Sequence, residues 1–525
     1  MKKIILVAAI VLVTGATTLI VWQYKQNPSR ESLQAINFPQ VKQQDVVILG
    51  DGDSFNLVAN MVKKNINGRE FKMLAYNGSI PGPLIKGTKG STITVNFTNN
   101  TDQETTIHSH GVRLDNQFDG VPDVTQAPVK VGKTFAYKIK FPDEGLYWYH
   151  PHLREDYAQE LGLYGNFLVL SDDPQYWSSV NQEWVVFLDD ILIEDGTIVP
   201  FDADQANHTL MGRFGNVMLV NGETSYQWKA KRGEVVRIYV TNAANTRPFN
   251  FTIPGAQMKL VGGDNGKYER ETLVDSVMLG PSERAIIEVL FNKDGTYPVE
   301  HQMPDKTYVL GQVVIADEQA PESFAASFAT LRTNSDVIQS IDPFRPYFDR
   351  EPDKQLKLTI AMKSPMGTSG GNQHMMHGGM VMDNAMMQMG DPKPIEWEDD
   401  MGTMNRNSTV DTLEWRLTDQ ATTKSNLDIA DWQFKQGEVV KIRIFNDPSS
   451  MHPMQHPIHI HGQRFLVLTT NGVPSGNLVW KDTALVKTGD TVDLLVEMAN
   501  PGTWMAHCHI SEHLEAGMMM KFAVK

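Results

Sequence analysis

One cysteine in 525 residues leaves no partner for an intramolecular disulfide, so a small disulfide-stapled scaffold is excluded. Charge of positive sign is also short: 47 lysines and arginines against 62 aspartates and glutamates give a formal net charge of -15, which disfavours nonspecific capture of nucleic acid. No long helical period runs through the chain, and no twin-arginine pair opens it. What the chain does have is length for several domains, 15 histidines and 26 methionines.

Lys2 and Lys3 precede an apolar run from Ile4 to Trp22, followed by Lys25 and Arg30, the pattern of an export signal or membrane anchor. The run exceeds the usual signal core of roughly 7–15 residues and approaches the roughly 20 that span a bilayer, which fits an anchor. Thr14, Gly15 and Ala16 are small enough to permit cleavage, so a cleaved signal fits as well. Either way the body is expected outside the cytoplasm, in the periplasm or on the outer face of the cytoplasmic membrane, touching the membrane only through residues 4–22. Without a twin-arginine pair a Sec-type route is expected, with any metal loaded after export.

Beyond a polar linker, short runs rich in Val, Ile, Thr and Tyr alternate with Gly, Pro and Asn clusters, which predicts an all-β chain of Greek-key β-sandwiches. A unit recurs three times. Each copy has a turn and an alternating strand, as in Lys89-Gly90-Ser91-Thr92-Ile93, Arg232-Gly233-Glu234-Val235-Val236 and Gln436-Gly437-Glu438-Val439-Val440. Each closes on a Gly-aromatic strand beginning at Gly145, Gly295 or Gly502. The predicted division is a signal or anchor over 1–24, a linker over 25–44, sandwiches over 45–175 and 176–320, a linker over 321–354, and a third sandwich over 355–525. Five and seven residues after the closing glycine stand His150 and His152 in the first copy and His507 and His509 in the third, but Glu300 and Gln302 in the second. The middle unit is therefore read as a spacer without metal ligands, and a site made by the outer copies is expected at their interface.

The four His-X-His pairs are His108/His110, His150/His152, His459/His461 and His507/His509. Residues i and i+2 of a strand share a face, so each pair aims two imidazoles one way. Eight neutral nitrogens suit copper, zinc or iron. Cys508 lies inside the last pair and by the same alternation points the other way, toward a second site. His456, His513 and Met518 are near in sequence, and two imidazoles, a thiolate and a weak thioether form the ligand set of a blue-copper electron-transfer centre.

These motifs, together with Asn77-Gly78-Ser79-Ile80-Pro81-Gly82-Pro83 and His456-Pro457-Ile458-His459-Ile460-His461-Gly462, closely resemble those of the multicopper oxidases from about residue 45 to the C-terminus. The resemblance implies three cupredoxin-like domains and four copper ions. His456, Cys508, His513 and Met518 would hold the type 1 ion, and His108 and His459 the type 2 ion. His110, His150 and His509 would hold one type 3 ion, and His152, His461 and His507 the other. It further implies one-electron oxidation of a substrate at the type 1 centre, transfer through Cys508 into His507 and His509, and reduction of O2 to water at the trinuclear cluster. Asp119 matches the family's acid on the water path, and it is also the first residue of an Asp-Gly turn. The second acid of bacterial relatives follows the histidine equivalent to His513, where this chain has Leu514, so Glu512 and Glu515 are the alternatives.

Eleven of the 26 methionines fall between Met362 and Met404, with His374 and His377 among them. Soft thioethers prefer Cu(I), and the polar filler between them opposes a core, so residues 362–404 read as a copper-collecting insert or a Met-lined helix over the site. Met375, Met376, Met380, Met386, Met387 and Met389 are the predicted substrate contacts, with His452 and Met454 beside His456. His452 stands where a carboxylate is usual in the cuprous-oxidase branch, and an exposed loop histidine is its plainer reading. The expected function is oxidation of Cu(I), and of phenols in a laccase-like way, serving copper tolerance. A copper-binding or structural envelope protein without turnover is the alternative. Copper nitrite reductases differ in placing their catalytic site between two-domain subunits.

Overall fold

The computed structural model describes residues 37–362, 393–399 and 413–525. The apolar run of residues 4–22 and Met375, Met376, Met380, Met386, Met387 and Met389 lie outside the described residues. Among the described residues no helix is long and apolar enough to cross a membrane.

Alternation makes the sheets. In Thr92–Asn100, Ile93, Val95 and Phe97 are buried while the residues between them lie half-buried toward the outside. This strand pairs with Ser54–Ile66 on one side and Thr134–Lys140 on the other. Facing that sheet lies a second, in the order Val46–Ile48, Leu84–Thr88, Gly165–Leu170, Gly145–His150 and His108–His110. Their inner faces close over a core that includes Tyr76, Phe97, Tyr137, Trp148 and Tyr149. Mixed parallel and antiparallel neighbours, such as Ser54–Ile66 beside Thr92–Asn100, are what Greek-key crossovers leave behind.

The architecture repeats. Sheets of six and five strands form the second sandwich around Trp228, Ile238, Phe249 and Ile287. Another six and five form the third around Trp415, Ile442, Leu494 and Trp504. Between the second and third, Ser335–Ile341 is helical and packs Val337 and Ile341 against Leu466, Leu468, Trp480 and Leu495. The closing Gly-aromatic strands occupy equivalent positions. Gly145–His150 lies beside His108–His110, Gly295–Gln302 beside Phe249–Thr252, and Gly502–Cys508 beside His456–Ile460.

Candidate metal centre

Strand register brings the histidine pairs together. In the first sandwich His108 lies opposite His150 and His110 opposite Trp148. In the third, His459 lies opposite His507 and Ile458 opposite Cys508. The two quartets then face each other across the interface. Rings of His110 and His459 stack at 3.7 Å, those of His108 and His461 lie 4.1 Å apart, and those of His150 and His509 lie 5.0 Å apart. Ligand atoms within 4.8 Å of one another group as His108, His110 and His459; as His110, His150 and His509; and as His152, His461 and His507. Each group draws on both sandwiches.

The hydrogen bonds fix which nitrogen faces inward. Nδ1–H donates outward in His108 (Asp119 O, 2.7 Å), His150 (Pro151 O, 2.7 Å), His459 (Asp482 O, 2.8 Å), His461 (Asp119 Oδ2, 2.9 Å) and His507 (Cys508 O, 2.8 Å). With Nδ1 protonated, each Nε2 carries a lone pair. Yet Nε2 of His461 and Nε2 of His507 are 2.9 Å apart, and Nε2 of His108, His459 and His509 are buried without a partner among the described residues. Converging lone pairs in a dry site repel unless a cation lies among them, so the donor set fits bound metal. Burial, reinforced by neighbouring imidazoles, holds His110, His150, His152, His459, His461 and His509 well below the ordinary histidine range, which keeps them neutral.

A second donor set lies on the other side of the same strand. Cys508 Sγ is 3.5 Å from His456 Nδ1 and 3.7 Å from His513 Nδ1, and all three are buried. Burial pushes the Cys508 thiol up, so only a bound cation would make it a thiolate here. Met518 is buried beside it, its carbonyl accepting from Cys508 N and its N–H donating to His513 O. The Trp415 ring lies 4.2 Å from that of His513 and 4.8 Å from that of His456. One tripeptide, His507-Cys508-His509, thus touches both donor sets.

Multicopper oxidase family models match residues 59–174, 183–315 and 395–525, one on each sandwich. The chain belongs to the multicopper oxidases. It is 26% identical over 488 residues to multicopper oxidase MmcO of Mycobacterium tuberculosis, covering 86% of this chain and 83% of that one. To copper resistance protein A of Pseudomonas syringae pv. tomato it is 26% identical over 578 residues, covering 90% and 93%. Among solved structures, a multicopper oxidase from Campylobacter jejuni described as a metallo-oxidase superposes with a TM-score of 0.68 at 24% identity, covering 95% of this chain and 99% of that one. As a multicopper oxidase the chain is a copper enzyme that takes electrons from a reducing substrate and uses O2 as acceptor.

The acids of this oxidase fall on two sides. Asp119 is buried between His108 and His461, and Gly120 makes that approach possible. Gly120 sits at φ +84°, and a Cβ there would lie 1.9 Å from the Ile107 carbonyl oxygen. On the other side, Glu512 and Glu515 lie on the short Ser511–Glu515 helix; burial, with Asp156 adding, pushes them up to about 8 and about 7. Thr246 Oγ1 donates to Glu512 at 3.4 Å. The carboxyl that meets the histidines there is Glu155, which local motifs did not single out. Its Oε1 is 3.3 Å from His152 Nδ1, it is fully buried, and burial with Glu515 nearby holds it well above the carboxylate range. Its only signal in the sequence is its place three residues after His152.

His452 is not the exposed loop residue of the plainer reading. It is buried, its Nε2 has no hydrogen-bond partner among the described residues, and burial lowers it to about 4. Met454 is fully buried nearby.

These shifts predict how the metal-free protein responds to pH. Histidines lowered to about 4, such as His208, His452 and His507, are protonated in the unfolded chain up to about 6.5 but neutral when folded, so raising pH from about 4.5 to 6.5 stabilises the fold. Glu160, Glu512 and Glu515, raised to about 7, 8 and 7, keep protons in the fold that the unfolded chain releases near 4.5, an opposing effect that acts alone above 6.5. The thermal midpoint of the copper-free chain is expected to rise to about pH 6.5, where the lowered imidazoles dominate, and to fall from there to pH 8. A midpoint still climbing at pH 8 would contradict the buried carboxyls.

Proposed function

We propose that this chain is an exported multicopper oxidase that couples oxidation of Cu(I) to reduction of O2 to water and so serves copper tolerance. The N-terminal apolar run supports export. His456, Cys508, His513 and Met518 would hold the type 1 ion, and the eight paired histidines the other three. Copper bound at these residues supplies one-electron redox chemistry on the thiolate side and O2 reduction on the histidine side. Cys508 links the two through the backbone of His507 and His509, and the continuity of that tripeptide carries the reading. It also weighs against a protein that binds copper without turnover.

The preference for a metal ion over a bulky phenol rests on how the electron entry is closed. His513 is fully buried, and its Nε2 donates at 3.3 Å to the carbonyl of Leu210 in the Gln205–Met211 helix. Trp415, whose ring lies against both His456 and His513, donates from Nε1 to Thr209 O of the same helix and so holds that helix over His513. A phenol therefore has no direct hydrogen bond to make at His513. Buried His452 and Met454, beside His456, offer donors suited to a soft cation. The name of copper resistance protein A agrees with this role. Asp119 passes protons at Oδ1, the oxygen that His461 leaves free, on one side of the cluster, and Glu155 at Oε1 on the other, with Glu515 behind it.

The test compares O2 uptake by the copper-loaded protein with cuprous ion, ferrous ion and a phenolic dye, after subtracting spontaneous oxidation. Cuprous ion is expected to be preferred. Deletion of 363–392 is expected to lower the rate with limiting Cu(I) at least about tenfold, the equivalent of 1.4 kcal/mol of productive binding, while sparing the dye. The deletion stops short of residues 393–399 because that segment is built into the fold. Glu396 and Gln455 exchange two hydrogen bonds at 2.7 and 3.0 Å, and Arg247 donates to Trp397 O. Equal loss toward both substrates would sink the insert's role, and a single bound copper with no O2 uptake would sink the oxidation of Cu(I) itself.

A further inference from the structure

His110 is held differently from the cluster histidines that donate through Nδ1. Its Nε2, rather than its Nδ1, is the nitrogen bonded outward, at 3.0 Å to both Asp482 Oδ1 and Thr483 Oγ1. Nδ1 is the atom left facing the site, 3.4 Å from His150 Nε2. Asp482 and His110 belong to different sandwiches and are 372 residues apart. Asp482 in turn is gripped by Arg284, a residue of the middle sandwich, which donates from Nη1 to Oδ1 at 2.7 Å and from Nη2 to Oδ2. Both side chains are fully buried. The same guanidinium donates from Nε to Leu146 O of the first sandwich at 2.9 Å. Space is reserved for this arrangement. Gly111 has φ +80°, and a Cβ there would lie 2.2 Å from Asp482 Oδ2 and 3.0 Å from Arg284 Nη2.

We infer that Arg284 is a positioning residue for the copper cluster: through Asp482 it fixes the ring orientation and tautomer of His110. The middle sandwich is thus more than the spacer its missing histidine pairs imply. The same carboxylate residue also steadies His459, whose Nδ1 donates to the Asp482 carbonyl, so one arginine supports a histidine from each half of the site. Outer partners of metal-bound histidines set which nitrogen carries the proton, and their loss costs about 10–100-fold in metal affinity or activity. Removing the guanidinium would also leave a buried carboxylate unpaired, which displaces it from His110.

The inference rests on the copper-cluster reading, and its test separates the two. Arg284→Met, Arg284→Lys and Asp482→Asn are each loaded with copper and assayed for copper per chain, Cu–thiolate absorption and O2 uptake. Arg284→Met is expected to keep the Cu–thiolate band while cluster copper affinity and O2 uptake fall together by about 10–100-fold, with Lys recovering part of both. If the methionine variant does not fold, Asp482→Asn, which fills the same space but takes the charged partner from the buried Arg284 guanidinium and so frees the side chain from its grip, is expected to show the same selective loss. Full copper and unchanged O2 uptake in Arg284→Met would overturn the inference. So would equal loss of both centres in every variant, which would make Arg284 a clamp between domains and nothing more. A wild-type chain that binds a single copper would instead defeat the cluster reading itself.

Discussion

Cys508→Ser is expected to abolish the Cu–thiolate absorption and substrate-driven O2 uptake while leaving copper at the histidine cluster. Serine nearly matches cysteine in shape, and Ile510 N, which donates to Sγ at 3.4 Å, can donate to a hydroxyl instead, so the fold is retained. The cost is that of placing a polar hydroxyl in a fully buried site, on the order of 1–3 kcal/mol. What serine cannot provide is a soft thiolate between His456 and His513. Changes one shell out already cost about 10–100-fold, so loss of the central ligand should exceed a hundredfold. His507 keeps its own partner, because its Nδ1 donates to the backbone carbonyl of residue 508, which the substitution leaves in place. Metal analysis, optical absorption and an oxygen electrode separate the outcomes. O2 uptake above about a tenth of wild type would mean that electrons reach the cluster by another path.

What was legible in the sequence is what depends on short spacing. The two-residue period of a strand was enough to aim His507 and His509 one way and Cys508 the other, and the register of Gly502–Cys508 beside His456–Ile460 places them so. The equivalence of Gly145 and Gly502 carried the reading that the outer sandwiches share a site. Asp119 stands before a left-handed glycine, as its turn reading has it, and its Oδ2 also accepts from His461 Nδ1, while its place on the water path is a proposal. The missing parts are contacts made across long stretches of chain. Nothing near Asp482 marks it as the partner of a histidine 372 residues earlier, and nothing near Arg284 marks it as different from any strand arginine. The lid over His513 likewise depends on how the Gln205–Met211 helix of one sandwich settles on another. Glu155 is an intermediate case. Its spacing from His152 is short, but only the turn into the Glu155–Ala158 helix brings its carboxyl back to the imidazole.

Asp119 offers the second large effect, and two substitutions divide its roles. In Asp119→Ala, His461 Nδ1 loses its acceptor at 2.9 Å, while His108 keeps its bond to the residue 119 backbone carbonyl at 2.7 Å. Copper held by His152, His461 and His507 is therefore expected to weaken by about 10–100-fold, and that held by His108 and His459 to weaken less. Asp119→Asn keeps an oxygen that can accept from His461 and so should keep the copper. An amide cannot cycle a proton as a carboxyl does, and loss of positioned acid–base groups costs about 100-fold or more. O2 uptake by Asp119→Asn is thus expected to fall at least about a hundredfold at full copper occupancy, with the type 1 centre still reduced at the normal rate by substrate. If the asparagine variant turns over like wild type, Asp119 only orients His461 and proton delivery belongs to the Glu155 side. If it loses copper as the alanine variant does, the carboxylate charge itself is what holds the imidazole, because an amide oxygen in the same place is a weaker acceptor for Nδ1–H than an ionised one.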